Sequence, residues 1–191
     1  LTYAAEAKKG GKKVYHLNIG QPDIKTPDEF FNAIKNYKDE VLEYALSEGL
    51  PELIEAIQKY YKGYNIDFNK DEILILNGGS EALLFAMIAT CNEGDNILVP
   101  EPFYSNYNSF AKAVGVEIKP ITTLAENGFH FPSKEEIVSK IDSKTRAILF
   151  SNPGNPTGVV YTKEEIQMIS DIAKENDLWI MADEVYREFV Y

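Results

Sequence analysis

Hydrophobic residues fall along this chain in short β-branched runs set between longer stretches of helical periodicity. Ile73–Leu76, Asn96–Val99, Val116–Ile121, Ala147–Phe150 and Leu178–Met181 have the length and composition of strands. Helical stretches near residues 80–92, 104–114, 133–141 and 162–176 alternate with four of them. That rhythm predicts βαβ units: an α/β fold with a mostly parallel sheet and helices on both faces. Ile73-Leu74-Ile75-Leu76 and Trp179-Ile180-Met181-Ala182 are apolar on both faces, which predicts buried parallel strands.

Helix starts are legible from Thr26 onward. Thr26-Pro27-Asp28-Glu29 offers a capping hydroxyl, a proline for the first helical position and a carboxylate at back-reaching distance. Ser133 with Glu136, and Thr162 with Glu165, repeat capping-box spacing before two later helices. The stretch before Thr26 is weakly patterned, and Lys8 to Lys13 reads as a charged, glycine-containing turn between two short elements.

Composition narrows the classes. A chain of 191 residues with 45% hydrophobic and 26% charged residues can bury a sizeable core as one domain, or one domain plus part of a second. Thirty acidic against nineteen basic side chains give a net charge of −11, a field that repels nucleic acid and anionic membranes. The lone Cys91 rules out an internal disulfide framework and fits a reducing, cytoplasmic setting; at the end of an apolar helix it reads as a small buried hydrophobe. The longest apolar stretch, Ala82 to Cys91, is too short to span a bilayer, and no signal-peptide pattern is present. The missing initiating Met points to a trimmed chain.

In an open α/β sheet ligands bind at the carboxyl ends of the strands, and four loops there are unusual. Asn77-Gly78-Gly79-Ser80-Glu81 runs from a strand into a helix and reads either as a phosphate cradle or as a tight turn with a serine cap. Glu101-Pro102-Phe103-Tyr104-Ser105-Asn106-Tyr107 places aromatics at a helix start, where a ring can stack on a planar ligand or simply join the core. Ser151-Asn152-Pro153-Gly154-Asn155-Pro156-Thr157-Gly158 is stiffened by two prolines and two glycines, with Asn155 held between them. Met181-Ala182-Asp183-Glu184-Val185-Tyr186 ends the last strand on a carboxylate that wants a cationic partner if buried.

Taken in order, Gly20-Gln21-Pro22-Asp23, Tyr44…Gly49-Leu50-Pro51-Glu52-Leu53, Asn155-Pro156-Thr157-Gly158 and Asp183-Glu184-Val185-Tyr186 resemble the class I aminotransferases, the fold-type I pyridoxal-phosphate (PLP) enzymes of the aspartate aminotransferase kind. The resemblance implies a three-layer αβα large domain over 44–191, truncated at its C-terminus, with 1–43 contributing to the small domain. It implies that Gly79, Ser80 and Glu81 hold the cofactor phosphate and that Tyr104 stacks on the pyridine ring. It further implies that Asn155 and Tyr186 share the phenolic O3′, and that Asp183 faces the pyridine nitrogen. Asp183 and Tyr186 are then the catalytic pair of this chain. Gly20, with Tyr104 and Asn155, is implied to meet the substrate. Tyr44 is implied to reach the phosphate of a neighbouring subunit, making the complete enzyme a homodimer. No metal is called for, and the chemistry is amino transfer between an amino acid, aspartate or aromatic, and a 2-oxo acid.

The chain departs from the family in having no lysine at the place of the Schiff-base lysine, which should follow Asp183-Glu184-Val185-Tyr186. It therefore reads as a fragment, inactive by itself, whose unpaired sheet edge predicts association or poor solubility. Rival readings are a C–S lyase or a cyclopropane-carboxylate-type synthase of the same superfamily, or the PLP-binding domain of a transcription regulator. A nucleotide-binding Rossmann protein fails, because Asn77-Gly78-Gly79-Ser80 is not GxGxxG and no P-loop lysine follows.

Overall fold

The structure, a computed structural model, describes residues 2–16, 20 and 24–190. The chain divides into two compact units, Leu1–Tyr44 and Ala45–Tyr191. Gln21, Pro22 and Asp23 of the first motif lie outside the described residues.

The first unit holds α1 (Thr2–Lys9), closed by a turn at Gly10 and Gly11, and α2 (Asp28–Asn36). The predicted cap of α2 is not formed. The helix starts one residue later, at Asp28, so that Pro27 with its extended ψ of 137° occupies the capping position, and its ring carries no hydrogen-bond acceptor. Asp28 is paired instead with Lys25 at 2.6 Å.

In the second unit α3 (Pro51–Lys62) begins on a proline whose φ is already set for a first helical position. Gly49 just before it has φ +115°, and a Cβ there would lie 2.3 Å from Ile75 Cγ1, so only glycine lets the two segments meet. The sheet contains β1 (Asn96–Glu101), β2 (Glu117–Thr122), β3 (Thr145–Ser151) and β4 (Trp179–Asp183) in the order β2-β1-β3-β4, all parallel. Between the strands run α4 (Gly79–Thr90) before β1, α5 (Asn106–Ala113), α6 (Lys134–Val138) and α7 (Lys163–Glu175).

Strand alternation sorts the core into two layers. Ile97, Val99, Ala147 and Leu149 point to one face and pack with Met87 of α4 and Tyr107 and Ala111 of α5. Leu98, Ile148 and Phe150 point to the other and pack with Ile137 of α6 and Ile169 and Ile172 of α7. Each fully buried Leu or Ile here contributes roughly 1.5–3 kcal/mol relative to exposure. Ser133 and Thr162 form the two capping boxes expected, with Glu136 and Glu165 reaching back.

Two strand expectations are corrected. Ile73–Leu76 forms no ladder: Ile75 N–H makes one bond to Glu48 O at 2.9 Å, and Leu74 is half exposed. Trp179–Ala182 is a strand but not one buried on both faces, because β4 stands at the sheet edge with Trp179 62% and Ile180 40% exposed. Among the described residues no helix is long and apolar enough to cross a membrane.

Candidate active site

Where β3 and β4 end side by side, Ser151 is paired in register with Asp183. The loops that leave these strands, together with the starts of α4 and α5, enclose a cavity of about 210 Å³. Gly79, Ser80, Tyr104, Asn155, Asp183 and Tyr186 all line it, joined by Leu83, Ser151 and Val185. Larger cavities exist. The one of about 650 Å³ lies between the end of β2 and α6, among Thr122, Asn127, Ser133 and Lys140, and none of the cofactor- or substrate-site residues expected from the sequence lines it.

The wall at α4 is made by a turn rather than by side chains. Gly78, at φ +82°, occupies the capping position and carries no side chain, so Ser80 sits inside the first turn and does not cap. The first N–H groups of a helix have no intrahelical acceptor and carry a partial positive charge, so Gly79, Ser80 and Glu81 present donors to whatever lies at this end. Glu81 turns its carboxylate back, accepting from Asn77 N–H at 2.5 Å and Asn77 Nδ2 at 3.1 Å. Its side chain thus fixes the turn, and it is not among the residues lining the cavity.

The Asn155 loop is held by bonds that leave the amide free to face inward. Gly154 N–H donates to Val159 O and Gly158 N–H to Gly154 O, each at 2.8 Å. A Cβ at Gly154 would lie 2.7 Å from Thr157 Oγ1 and 2.8 Å from Val159 Cγ1, so the loop closes only around glycine. Ser151 Oγ donates to Pro153 O at 2.8 Å, and Asn152 N–H donates to Asp183 O at 3.0 Å, tying the loop to β4.

Sequence reasoning missed Tyr107. Its ring is buried in the core, stacked on Phe103 at 6.1 Å and edge-on to Tyr104 at 5.5 Å. Its hydroxyl donates to Asp183 Oδ2 at 2.6 Å, while Val185 N–H donates to Oδ1 at 3.2 Å. Burial, then the hydrogen bond to Asp183 and its charge, push the Tyr107 phenol far above the ordinary tyrosine value, so the proton stays on Tyr107 and Asp183 is its acceptor. Tyr104 is half-buried, its hydroxyl accepting from Asn106 Nδ2 at 2.6 Å. Tyr186 is half-buried, with the Phe189 ring edge-on at 6.2 Å. Gly20 and Tyr44 are exposed and belong to the first unit. In chemical terms the cavity offers a donor-rich helix end, an aromatic wall, an amide and a phenol, and a carboxylate already held by two donors.

Comparison with known proteins places this arrangement. The profile of the family "Aminotransferase class I and II" matches residues 12–191. A probable aspartate aminotransferase of Methanocaldococcus jannaschii is 39% identical over 178 residues, covering 92% of this chain and 47% of that protein. The glutamate-pyruvate aminotransferase AlaA of Haemophilus influenzae is 36% identical over 193 residues, covering 98% and 47%. Among solved structures, an aspartate aminotransferase of Thermotoga maritima superposes with a TM-score of 0.92 at 32% identity, covering all of this chain and 51% of that one. An alanine aminotransferase of Pyrococcus furiosus gives 0.86 at 36% identity, covering 96% and 48%. The chain spans about half the length of the curated relatives it matches. Profile, relatives and superposed structures agree with the motifs and with the sheet they sit on: the chain belongs to the class I and II aminotransferases and has their PLP-transferase fold.

Proposed function

We propose that the 210 Å³ cavity is a PLP site and that the complete protein, a cytoplasmic homodimer, moves an amino group from an L-amino acid of the aspartate or aromatic type to a 2-oxo acid. One observation carries the reading: residues from four separate loops, singled out for separate chemical reasons, line a single cavity. The donor set fits the group. A phosphate dianion suits the N–H groups at the start of α4 and the Ser80 hydroxyl. A pyridine ring suits the Tyr104 face, a phenolic oxygen the Asn155 amide and the Tyr186 hydroxyl, and a protonated ring nitrogen the Asp183 carboxylate.

When bound, PLP supplies an electron sink for the bond that breaks at the substrate Cα. This chain's residues hold and orient. Asp183 keeps a proton on the ring nitrogen by pairing with it, and Tyr107 keeps Asp183 in place and supplies one of its two fixed donors. Asn155 and Tyr186 fix the ring against rotation in its plane, and Tyr104 keeps water off one face. For the complete protein the reading gives Gly20 to the substrate carboxylate and Tyr44 to the phosphate of a second copy. No lysine is among the described residues that line the cavity, which supports the reading that the 191-residue chain by itself binds without turning over.

The test is a single-turnover assay on the PLP-loaded full-length protein. Stoichiometric 2-oxo acid release from aspartate or phenylalanine, without free ammonia, supports the reading. Release of ammonia or of a thiol makes it a lyase, and no release from any amino acid removes the transferase reading.

A further inference from the structure

The segment after β4 carries Tyr186, yet the proposed chemistry makes no use of the two charged residues that follow it. Both are gripped by the end of α3 and the turn beyond. The guanidinium carbon of Arg187 lies 4.3 Å from the centroid of the Tyr64 ring, 5.0 Å from Tyr61 and 5.7 Å from Tyr60. Glu184 closes the open side, its Oε2 3.2 Å from Arg187 Nη1. Glu188 accepts from the Tyr60 hydroxyl and, at 3.1 Å, from that of Tyr64. The rings brace one another, with Tyr60 5.2 Å from both Tyr61 and Tyr64, and Tyr61 edge-on to Phe68 at 5.1 Å.

Apolar burial does not fix this segment, since Glu184, Val185, Glu188, Phe189 and Val190 are all exposed. Its own backbone makes only a turn, Arg187 N–H to Glu184 O at 3.0 Å and Phe189 N–H to Tyr186 O at 2.8 Å. A guanidinium among three rings and a carboxylate across two phenols, on residues 187 and 188, anchor the turn at the point where Tyr186 leaves it. We infer that the Tyr60–Tyr61–Tyr64 cage around Arg187 is a positioning device for Tyr186, holding its hydroxyl toward the cavity. This rests on the proposed cofactor site. A hydroxyl held in place contributes its full hydrogen bond, whereas one on a loose turn must first be ordered and contributes little.

The test is a double-mutant cycle read by binding of pyridoxamine 5′-phosphate to the chain; this probe keeps the ring, phosphate and phenolic oxygen but has no aldehyde to react with surface lysines. In the wild-type background Tyr186→Phe weakens binding about fivefold, the weight of one hydrogen bond. In an Arg187→Gln background the same change costs less than about twofold, because the cage is already empty. Arg187→Lys leaves a cation among the rings and restores most of the Tyr186 effect. Tyr64→Leu removes the nearest ring and one bond to Glu188, and it reproduces the loss of coupling if Arg187→Gln does not fold. Asp183→Asn, as a control, weakens binding equally in every background. An undiminished fivefold effect of Tyr186→Phe beside Arg187→Gln or Tyr64→Leu overturns the inference while leaving the site intact. If Asp183→Asn and Tyr186→Phe both leave binding unchanged, the site reading falls, and the inference with it.

Discussion

Asp183 ends an apolar strand, and its surroundings show how a carboxylate is kept there: one oxygen faces the Tyr107 hydroxyl, the other the Val185 amide. Removing the Tyr107 hydroxyl leaves that oxygen without its buried donor, which costs about 1–3 kcal/mol. Tyr107→Phe therefore lowers the thermal midpoint by several degrees while the ring still fills its place beside Phe103. A calorimetric scan of the two proteins checks this, and an unchanged midpoint shows that the bond carries no weight in the folded state. Asp183→Asn acts differently. It keeps the shape and the acceptor for Tyr107 but removes the charge that pairs with a ring proton, so pyridoxamine 5′-phosphate binding falls by tenfold or more, as for a hydrogen bond to a charged group (about 1.5–3 kcal/mol). Fluorescence titration reads it directly. Asp183 was visible in the sequence because a carboxylate at the end of Trp179-Ile180-Met181-Ala182 needs a reason. Tyr107 was not, because its partner lies 76 residues away and a tyrosine in the first turn of a helix looks like any core aromatic.

Among the elements, those whose ends are set locally were the most legible. α6 and α7 start where a hydroxyl and a glutamate stand three residues apart, and Ser133 and Thr162 do accept from the predicted glutamate N–H groups. Ile73–Leu76 has the composition of a strand but touches the chain at Glu48 and Gly49 without pairing into a ladder, and composition cannot report a missing strand partner. Glu165 reaches further than its box, accepting from Thr162 N–H at 2.8 Å, Phe131 N–H at 2.9 Å and His130 Nδ1 at 2.9 Å, so it pins the loop before α6 to the start of α7. Burial alone would raise its pKa, but the Thr162 amide, the His130 ring and the Phe131 amide together outweigh it and hold the carboxyl below the ordinary glutamate value. A lowered folded-state value adds stability above the unfolded pKa, and that stability is lost as the pH falls through the folded one. Glu165→Gln keeps one acceptor oxygen but loses the charge and the other, and is accordingly about 1–2 kcal/mol less stable than wild type at pH 7, the scale of a hydrogen bond to a charged group. The gap closes as the pH falls through that lowered value, where wild type also loses the charge. Urea midpoints for both proteins from pH 7 to pH 3 decide it; a constant gap means the charge has no part in the pin.

At the scale of the molecule, the α/β architecture was readable because two signals agreed: short apolar runs such as Ile97-Leu98-Val99 and Ala147-Ile148-Leu149-Phe150, and stretches of helical periodicity set between them. The exposure of the last strand was not readable, since Trp179-Ile180-Met181-Ala182 looks the same whether one or both faces are covered. In the structure the sheet ends at β4, and a groove of about 580 Å³ runs between β4 and α4, walled by Leu83, Ala86, Trp179 and Ile180. Phe85 and Ile88 of α4 are exposed as well. A strand with free backbone donors and acceptors, beside an apolar groove, pairs with whatever strand it meets. The net charge of −11 opposes such contacts at long range, but salt shortens that reach to about 8–10 Å at physiological strength, less than the span of the molecule. The 191-residue chain should thus be most monomeric at low salt and associate as salt is added. Ile180→Lys, which puts a charge on the edge without touching the cavity, should hold it monomeric at both. Sedimentation velocity at about 20 mM and 300 mM salt, where the Debye length falls from roughly 20 Å to roughly 6 Å, separates the outcomes: salt-driven association abolished by Ile180→Lys assigns the contact to the β4 edge, and association that survives the substitution assigns it elsewhere.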